Sequence, residues 1–404
     1  MKNYQFVSNL SQTEYDGFIK KSSMVNLLQT YNWAQVKTEW DHFHCGLYRD
    51  GELIGVCLIL SRRIIKNITM FYIPRGYVMD LNDAEAVAEM TKNIKQLAKS
   101  RHAYLVKLQP NFCVSDNGFK GEPGEGFYTE DHDIKHRNLI AAGFKHKIAE
   151  KQISKSFQPD YQAYLPVCDP QGNILDFETV RKNCKNRIKR YSGKYQVERG
   201  VTFEITDDLN RLDDLIPLLE ETEEKQNIKL RSKEYFERIM NNYKGYAYMM
   251  FAKVDLDIYK AFLLKDKKTP AEKLEEVDRL RAEKGQFMLL SGYIFIMPEN
   301  EGRIKTCEAL YAGNSQVLTN LHVSAAIVFE LLKFCIERQV HYLSLGGIEG
   351  DLKDNLSTFK SRFTSRVMVF AGEYDLPVSW LYYPVKVFYS PAMKIYKKMM
   401  KKNN

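Results

Sequence analysis

The stretch Met70-Phe71-Tyr72-Ile73-Pro74-Arg75-Gly76 ends the first of two runs of predicted elements that share one order. Each run begins with a helix, continues with two strands, and ends with a third strand that leads into an aromatic turn containing glycine. In the second run this last strand and turn are Glu308-Ala309-Leu310-Tyr311-Ala312-Gly313. A long helix and a further strand follow each run, at residues 84–100 and 104–108 and at residues 323–338 and 341–345. The repeated order predicts two related α/β domains.

The repeat also predicts where the domains divide. The first domain is expected to comprise residues 1–160 plus 372–404, and the second residues 161–371. Residues 254–286 interrupt the second run, and their charged helical pattern with a narrow apolar seam predicts a short antiparallel helical hairpin. Its second helix is expected to start with Thr269 as the N-cap and Pro270 at the first helical position.

Four further segments carry local predictions. Residues 32–40 and 352–366 are expected to be helical, and the pair Asp50-Gly51 predicts a hairpin turn. Residues 114–131 hold four glycines among acidic and polar residues, which predicts a mobile loop. This loop is either a tolerated insertion or a lid over a site.

Composition excludes several classes of protein. Of the 404 residues, 44% are hydrophobic and 12% aromatic, which is enough for full cores and excludes wholesale disorder. The sequence contains neither a membrane-spanning apolar run nor a secretory signal. Seven scattered cysteines without a CxxC pair predict a reduced, cytoplasmic protein without structural zinc or disulfides.

Missing motifs narrow the chemistry further. The chain has no phosphate-binding P-loop, no G-x-G-x-x-G dinucleotide fingerprint, no G-x-S-x-G elbow and no coenzyme A pyrophosphate loop. His132 and His136 have helical spacing, but no further metal ligands lie nearby, so surface histidines are the favoured interpretation. The sequence therefore predicts neither a metal nor a cofactor.

A basic block at residues 181–199 is the strongest local charge feature. Only Glu178 and Glu198 oppose its cations, which are Arg181, Lys182, Lys185, Arg187, Lys189, Arg190, Lys194 and Arg199. With Tyr191 and Tyr195 interleaved, the block is typical of a polyanion-binding surface. A solvated helix face is the alternative interpretation.

The carboxyl-terminal segment is aromatic and then basic. Its aromatic and apolar residues precede five lysines, in the order Trp380, Leu381, Tyr382, Tyr383, Val387, Phe388, Tyr389, Lys394, Lys397, Lys398, Lys401 and Lys402. Such a segment suits peripheral contact with the anionic cytoplasmic membrane face. Alternatively, the aromatics close the first domain's sheet and the lysines form a solvated end.

Four blocks together resemble the FemABX family of aminoacyl-tRNA-dependent peptidyl transferases, most closely its MurM-like and FemX-like members. In chain order, the blocks are Trp33-Ala34-Gln35-Val36-Lys37-Thr38-Glu39-Trp40, Met70-Phe71-Tyr72-Ile73-Pro74-Arg75-Gly76, Arg231-Ser232-Lys233-Glu234-Tyr235-Phe236, and Leu345-Gly346-Gly347 running to Thr358-Phe359-Lys360-Ser361-Arg362-Phe363. The resemblance implies a mixed α/β (α+β) fold of two acetyltransferase-like, GNAT-type domains.

The resemblance also implies an activity. Members transfer an amino acid from aminoacyl-tRNA to the stem peptide of a peptidoglycan precursor, either lipid II or its nucleotide-linked form. This reaction forms or branches the interpeptide bridge. Aminoacyl-tRNA and the muramyl-pentapeptide precursor are thus the expected partners of a protein that is expected to be monomeric.

Site residues carry over position by position. Lys37 and Arg231 match the basic residues that hold the precursor's diphosphate, and a lysine charge with an arginine fork suits that group. Tyr235 and Tyr311 match tyrosines that line the precursor channel. The family's Phe-Lys pair next to the reacting groups corresponds to Phe359 and Lys360, and a partly desolvated Lys360 is expected to stabilise an oxyanion. Solvated or core-packed positions remain the alternatives.

The polyanion expected at the basic block is tRNA, bound by Lys185, Arg187, Lys189 and Arg190.

The sequence departs from the family pattern at Gln109. This residue stands where many members carry an acidic residue, so no protein carboxylate base is expected at this spot.

Two other functions stay open. One alternative is a nucleic-acid-binding module without catalysis, and the other is an acyltransferase that uses another activated acyl donor.

Overall fold

The computed structural model of the chain describes residues 2–23, 25–65, 67–122, 130–227, 229–302, 304–363 and 365–385. Its strands are β1 (Tyr4–Val7), β2 (Asp41–Arg49), β3 (Glu52–Ile65), β4 (Ile68–Pro74), β5 (Val78–Met79), β6 (Ala103–Gln109), β7 (Cys113–Gly118), β8 (Lys145–Lys147), β9 (Tyr161–Pro166), β10 (Val201–Thr206), β11 (Ala247–Asp255), β12 (Phe287–Ile296), β13 (Thr306–Asn314), β14 (Tyr342–Gly347), β15 (Arg366–Phe370) and β16 (Glu373–Pro377).

Its helices are α1 (Gln12–Ile19), α2 (Trp33–Val36), α3 (Ala84–Ser100), α4 (His132–Ala141), α5 (Phe177–Asn183), α6 (Asn186–Lys189), α7 (Lys194–Val197), α8 (Leu212–Gln226), α9 (Lys233–Asn242), α10 (Leu256–Leu264), α11 (Ala271–Lys284), α12 (Val323–Glu337), α13 (Asn355–Lys360) and α14 (Tyr382–Pro384). Single 3₁₀ turns lie at Leu27–Gln29, Ile153–Lys155, Leu209–Arg211, Thr319–Leu321 and Ser361–Phe363.

The strands form two mixed sheets, which confirms the predicted α/β class. The first sheet has the order β1-β2-β3-β4-β6-β16-β8, with β5 paired to β3. The second has the order β10-β11-β12-β13-β14-β9-β15-β7. In each sheet one pair of strands is parallel, β4 with β6 and β13 with β14. A parallel pair needs a crossover connection, which helices α3 and α12 supply.

Local sequence explains several of these elements. Asp50 and Gly51 both have positive φ, 52° and 87°, as the predicted tight hairpin turn between β2 and β3 requires. Helix α3 has the predicted bounds because the Asp83 side chain caps it by accepting a hydrogen bond from the Ala86 amide at 3.0 Å. Helices α10 and α11 form the predicted hairpin, joined by the ion pairs Lys260–Asp278 and Arg281–Asp257.

Three predicted helices differ in length or position. The first ends at Val36, where Lys37 leaves helical geometry as the C-cap (φ −95°, ψ 49°). The helix expected over residues 352–366 is limited to α13, because Leu352 has a positive φ of 58° and the Asp354 side chain caps the new start. In α11, the N-cap is Pro270 and not Thr269, since Pro270 has extended backbone geometry.

The chain exchanges strands between the sheets. Strand β7 pairs with β15 in the second sheet, although it lies within the sequence range predicted for the first domain. Strand β16 returns to the first sheet beside β6, where the buried Lys107 ammonium lies 2.6 Å from Glu373 and 2.7 Å from Asp375. The predicted domain limits stay a prediction. The loop expected over residues 114–131 is wrong at its start, because this part is strand β7, and residues 123–129 lie outside the described chain.

One apolar core joins the two predicted domains, which we call the first and second halves. Tyr15, Trp33 and Leu58 from the first half pack in the same buried cluster as side chains of α8, α9 and β12 from the second, among them Leu215, Phe236 and Ile294. Each sheet also has a core of its own, under α3 in the first half and under α12 in the second. The shared core holds α2 against α9 and so fixes the site described below.

The carboxyl-terminal prediction is only partly covered by the structure. Trp380 and Tyr383 are 77% and 58% exposed, whereas Tyr382 is buried. Residues 386–404, which include the five lysines of the predicted membrane-contacting segment, lie outside the described residues. No helix in the described ranges is long and apolar enough to span a membrane.

Candidate functional site

Helices α2 and α9 meet across the two halves through directed hydrogen bonds. The Thr30 hydroxyl and the Tyr243 hydroxyl lie 2.5 Å apart, and the Asn32 amide donates to the Asn242 carbonyl at 2.7 Å. The Arg238 guanidinium donates to the Val36 carbonyl at 3.2 Å. These bonds orient the carboxyl end of α2, where Lys37 lies, toward the amino end of α9, which Arg231 precedes.

Lys37 is half-buried between aromatic rings. Its Nζ lies 5.1 Å from the Trp33 ring centroid, 5.0 Å from the Tyr235 ring centroid and 3.5 Å from the Tyr235 hydroxyl. Burial, together with the nearby positive charge of Arg231, lowers the pKa of Lys37 to about 8. A cation in this environment lacks a strong anionic partner, which makes the site attractive to an anion.

The structure brings the four predicted precursor-binding residues together. The Arg231 guanidinium lies 5.2 Å from the Tyr235 ring. Burial lowers the pKa of Arg231, but the neighbouring Tyr311 side chain raises it above its ordinary value. Tyr235 and Tyr311 stand edge to face, with ring centroids 6.1 Å apart. Tyr235 is buried, whereas Arg231 is exposed, so the arginine can meet a ligand that enters from solvent.

A cleft of about 430 Å³ opens at this meeting point. Three of its lining residues are cations and four are aromatic, and the full set is Trp33, Lys37, Glu39, Trp40, Leu60, Arg62, Tyr72, Pro74, Phe157, Gln158 and Arg231. Arg62 was not predicted from the sequence, and its guanidinium lies 5.5 Å from the Trp40 ring. Cations beside aromatic walls suit an anionic group attached to a larger organic ligand.

The second half carries a gap between two parallel strands. Strands β13 and β14 pair from Thr306 to Glu308, opposite Tyr342 to Ser344, and this pairing ends there. Beyond this point Gly346 has a positive φ of 78°, which favours glycine. A methyl group at Gly346 would lie 3.9 Å from the Ala309 carbonyl oxygen and 3.9 Å from Lys360 Nζ, so the lysine head occupies the gap.

Lys360 is buried, with 6% of its surface exposed. Its Nζ donates to the Gly347 carbonyl at 2.8 Å, and burial lowers its pKa to about 7, against a small opposing effect of Asp354. The neighbouring Phe359 ring packs on Phe363 at 5.3 Å and against the second-half core. A charge in such surroundings interacts strongly with a developing anion, because the local dielectric constant is low.

Strand β13 connects the two parts of the site. Tyr311 contacts the ring of Phe236 on α9 at 5.0 Å, and Ala309 faces the Lys360 head across Gly346. Two residues along a strand correspond to about 7 Å. A ligand held by Lys37 and Arg231 therefore needs to extend only a short way along β13 to reach Lys360.

The basic block divides into groups with different environments. Arg181 and Lys194 form ion pairs with Glu178 and Glu198, and Arg199 stacks on the Tyr195 ring at 3.5 Å. Lys189 donates to the Lys182 carbonyl at 2.9 Å. These cations are thus partly neutralised or engaged within the protein.

Three other cations of the block lie near the segment that carries Lys360, namely Lys185, Arg187 and Arg190. The Lys185 amide donates to the Arg362 carbonyl at 2.9 Å, and its Nζ donates to Ser361 Oγ at 3.3 Å. Burial, followed by the positive charges of Arg190, Arg187 and Arg362, lowers the pKa of His322, which stacks on Tyr191. Within the described residues, no ion pair neutralises Lys185, Arg187, Arg190 or Arg362. We call these four residues the basic cluster.

Gln109 has a carboxylate as a neighbour, although it carries none itself. Its amide nitrogen lies 3.3 Å from the carboxylate of Asp160, and its carbonyl oxygen accepts a hydrogen bond from the Tyr72 hydroxyl at 2.7 Å. A carboxylate therefore does lie at this spot, supplied by a residue 51 positions away. No cluster of three or more His, Cys, Asp or Glu side chains in the described ranges is arranged to hold a metal ion.

Comparison with known proteins adds three findings. The model of the FemAB family matches residues 10–286 and 263–390. The lipid II:glycine glycyltransferase of Staphylococcus aureus strain MRSA252 is 29% identical over 253 residues, which are 61% of this chain and 55% of that protein. The equivalent protein of strain bovine RF122 / ET3-1 gives the same figures. The chain thus spans about half the length of the curated relatives it matches.

Solved structures resemble the whole fold. The crystal structure of FemX superposes with a TM-score of 0.76 at 21% identity and covers 95% of this chain and 99% of that one. A tandem GNAT protein from the clavulanic acid biosynthesis pathway gives a TM-score of 0.50 at 8% identity, over 93% and 99% of the two chains. These likenesses confirm the predicted fold of two GNAT-type units.

The environment of Lys37 predicts how a diphosphate ligand binds. The ammonium form binds the anion, so affinity is expected to be highest below about pH 8 and to weaken as the pH rises through this value. Lys37→Met keeps the apolar stem and should raise the Kd of the nucleotide-linked muramyl precursor about 10- to 100-fold, the equivalent of about 1.5–3 kcal/mol. It should also abolish the pH dependence, as measured by titration calorimetry.

Arg63→Met provides the matched control, because Arg63 is exposed on the same strand as Arg62 but does not line the cleft. The control should bind like the wild type. Unchanged affinity of Lys37→Met, or an equal loss in both variants, would contradict the assignment of Lys37.

Proposed function

Since the chain belongs to the FemAB family, we propose that it is an aminoacyltransferase of peptidoglycan synthesis. It transfers an amino acid from aminoacyl-tRNA to an amine of the stem peptide of a muramyl precursor, and so forms or branches the interpeptide bridge. The observation that carries this proposal is the joining of a cationic cleft to the buried Lys360 by one strand, β13.

The acceptor occupies the cleft between the halves. Lys37 and Arg231 approach its diphosphate from opposite halves, and the aromatic walls contact the attached sugar. The stem peptide then runs along β13 toward Gly346. The name of the Staphylococcus aureus relatives, lipid II:glycine glycyltransferase, agrees with an acceptor of this class.

The donor meets the acceptor at Lys360. An aminoacyl ester is already activated, so the protein must chiefly position the two reactants, which supplies up to about 7–11 kcal/mol. The Lys360 ammonium then stabilises the oxyanion that forms as the amine attacks the ester carbonyl. Its burial gives this charge more effect than it would have in water.

The basic cluster is suited to the tRNA. Its member Arg362 follows Lys360 closely in the chain, and Lys185 is hydrogen-bonded to Ser361 and Arg362. Phosphates bound there place the aminoacylated end of a tRNA beside the reacting groups. This placement favours tRNA over a small activated acyl donor as the source of the amino acid.

Peripheral membrane contact belongs to the same proposal. A lipid-linked acceptor lies at the cytoplasmic membrane face, and the exposed rings of Trp380 and Tyr383 are suited to an interface of lipid and water. A monomer that docks there transiently meets both the membrane-bound acceptor and the tRNA of the cytoplasm.

The function is tested with purified protein, a panel of radiolabelled aminoacyl-tRNAs and lipid II with a lysine stem. Label should enter the acceptor from at least one charged tRNA. Lys360→Met should lower kcat at least about 100-fold while the melting temperature and acceptor binding barely change. Lys360→Arg should not restore full activity, because its planar fork places the charge differently.

Other outcomes separate the remaining functions. Transfer from a different activated acyl donor but not from charged tRNA would identify another acyltransferase. Tight tRNA binding without transfer would identify a nucleic-acid-binding module. A Lys360→Met enzyme with more than about one third of the wild-type kcat would leave positioning alone as the catalytic device.

The basic cluster generates a separate prediction about tRNA binding. The triple change of Lys185, Arg187 and Arg190 to Ala should weaken tRNA binding and reduce the slope of log K against log salt concentration by about 2–3, at about 0.7–0.9 per lost phosphate contact. Filter binding of tRNA at several salt concentrations measures this slope.

A matched triple change within the same block removes the same formal charge. Arg181, Lys182 and Lys194 lie outside the cluster, and two of them already form ion pairs. Their change to Ala should alter the slope much less. Equal slopes for the two triple variants would indicate only a diffuse electrostatic attraction and would contradict a specific tRNA site.

A further inference from the structure

We propose that Glu308 is the proton acceptor for the amine of the acceptor substrate, an inference that rests on the proposed aminoacyl transfer. An amine nucleophile arrives as an ammonium ion at neutral pH and cannot attack until it loses a proton. The sequence alone indicates no base for this step, and neither Lys360 nor the cleft cations can supply one while they act as cations.

Glu308 lies at the base of the gap between β13 and β14. It forms the last parallel pair of these strands, opposite Ser344, and Ser344 in turn lies opposite Tyr164 on β9. Directly opposite residues share one face of a sheet. Cys307, the preceding residue, belongs to the second-half core, so Glu308 faces the other side, toward the first half.

The strand leads from Glu308 to both parts of the proposed site. The next residue, Ala309, faces the Lys360 head across Gly346, and Tyr311 contacts the aromatic rings of α9. A register shift opposite β12 between Ala309 and Tyr311 bends the strand at this point. Glu308 lies one residue beyond Ala309, about 3 Å further along the strand. An amine delivered along β13 from the cleft to the Lys360 head therefore arrives beside Glu308.

The carboxylate has no cation partner of its own. In the described part of the chain no lysine, arginine or histidine forms an ion pair with it, although it is only half-buried. Arg75 is the nearest influence of positive charge, but its guanidinium is 2% exposed, stacks on the Phe370 ring at 3.5 Å and donates to the Pro159 carbonyl. A half-buried carboxylate without a cation is a natural site for an incoming ammonium group.

The electrostatic surroundings suit proton exchange at neutral pH. Burial raises the pKa of Glu308 to about 7, against the opposing effects of a hydrogen bond from Ser344 and the charge of Arg75. The other titratable groups that sense its charge are Tyr164 on β9 and Cys307 on its own strand. A base is most effective when its pKa lies near the working pH.

The step transfers one proton and then exchanges one bond. The acceptor ammonium gives a proton to the Glu308 carboxylate and becomes a neutral amine. The amine nitrogen bonds to the carbonyl carbon of the aminoacyl ester, and Lys360 stabilises the oxyanion. The bond from carbon to the ribose oxygen then breaks, the amine's second proton goes to that leaving oxygen, and Glu308 later returns its proton to solvent.

Asp160 does not compete for this role. It is 1% exposed, and its two carboxylate oxygens accept hydrogen bonds from the Gln109 side chain at 3.3 Å and the Glu150 amide at 2.9 Å. It shares the influence of Arg75 with Glu308, yet it does not lie on β13 or β14. Asp160→Asn is therefore a matched control that removes a carboxylate near Arg75 without changing the gap.

The decisive experiment compares two acceptors that differ only in basicity. One carries the normal lysine amine in its stem peptide, and the other carries an aminooxy group, which is neutral at pH 7, in the same place. Glu308→Gln should lower kcat about 100-fold or more for the amine and less than about threefold for the aminooxy acceptor. Asp160→Asn should change kcat by the same factor for both acceptors, and Lys360→Met should lower kcat for both.

Glu308→Asp keeps a carboxylate at a shorter reach and should recover part of the amine rate, which also keeps the test valid if Glu308→Gln does not fold. Equal losses on the two acceptors, or no loss on either, would overturn the proposal, because a structural role does not distinguish them. A wild-type protein that transfers to neither acceptor from any charged tRNA would instead overturn the proposed function itself.

Discussion

The packing of α2 against α9 is the contact on which the rest of the structure depends. It places side chains from both halves in one buried core, and each large apolar side chain buried there contributes about 1.5–3 kcal/mol. Hydrogen bonds across the contact, such as that between Asn32 and the Asn242 carbonyl, fix the two helices in register. Only because of this register do Lys37 and Arg231, 194 residues apart in the sequence, lie beside the same ring of Tyr235.

A second constraint is the separation of β13 from β14. Parallel strands that part beyond Ser344 leave room that the sheet does not fill, and Gly346 lets the backbone turn away there. Lys360 reaches this space from α13 and is held by the Gly347 carbonyl, at the cost of burying an amine. In return, the buried ammonium interacts strongly with other charges because the local dielectric constant is low. This interaction is favourable only with a negative charge that develops nearby.

Much of this arrangement is readable from the sequence, and the remainder depends on contacts between distant residues. Apolar periodicity gives the bounds of α3 and the position of the helical hairpin, and block resemblance gives the residues around the cleft. The pairing of β7 with the second sheet and the contact of Asp160 with Gln109 produce no local sequence pattern. Each of them joins residues that lie far apart in the chain. The number of free cations in the basic block is overestimated from the sequence, because ion pairs to Glu178 and Glu198 neutralise some of them. Glu308 lies in a strand that the sequence predicts, but its unpaired state is visible only in the fold.

The proposed reaction requires one continuous site that runs from the cleft between the halves along β13 to Lys360. A crystal structure with the nucleotide-linked muramyl pentapeptide bound tests it most directly. We expect diphosphate oxygens within about 3 Å of Lys37 Nζ and the Arg231 guanidinium, with the stem-peptide amine between Glu308 and Lys360. A diphosphate bound elsewhere, for example on Lys185, Arg187 and Arg190, or a stem peptide directed away from β13, would contradict it.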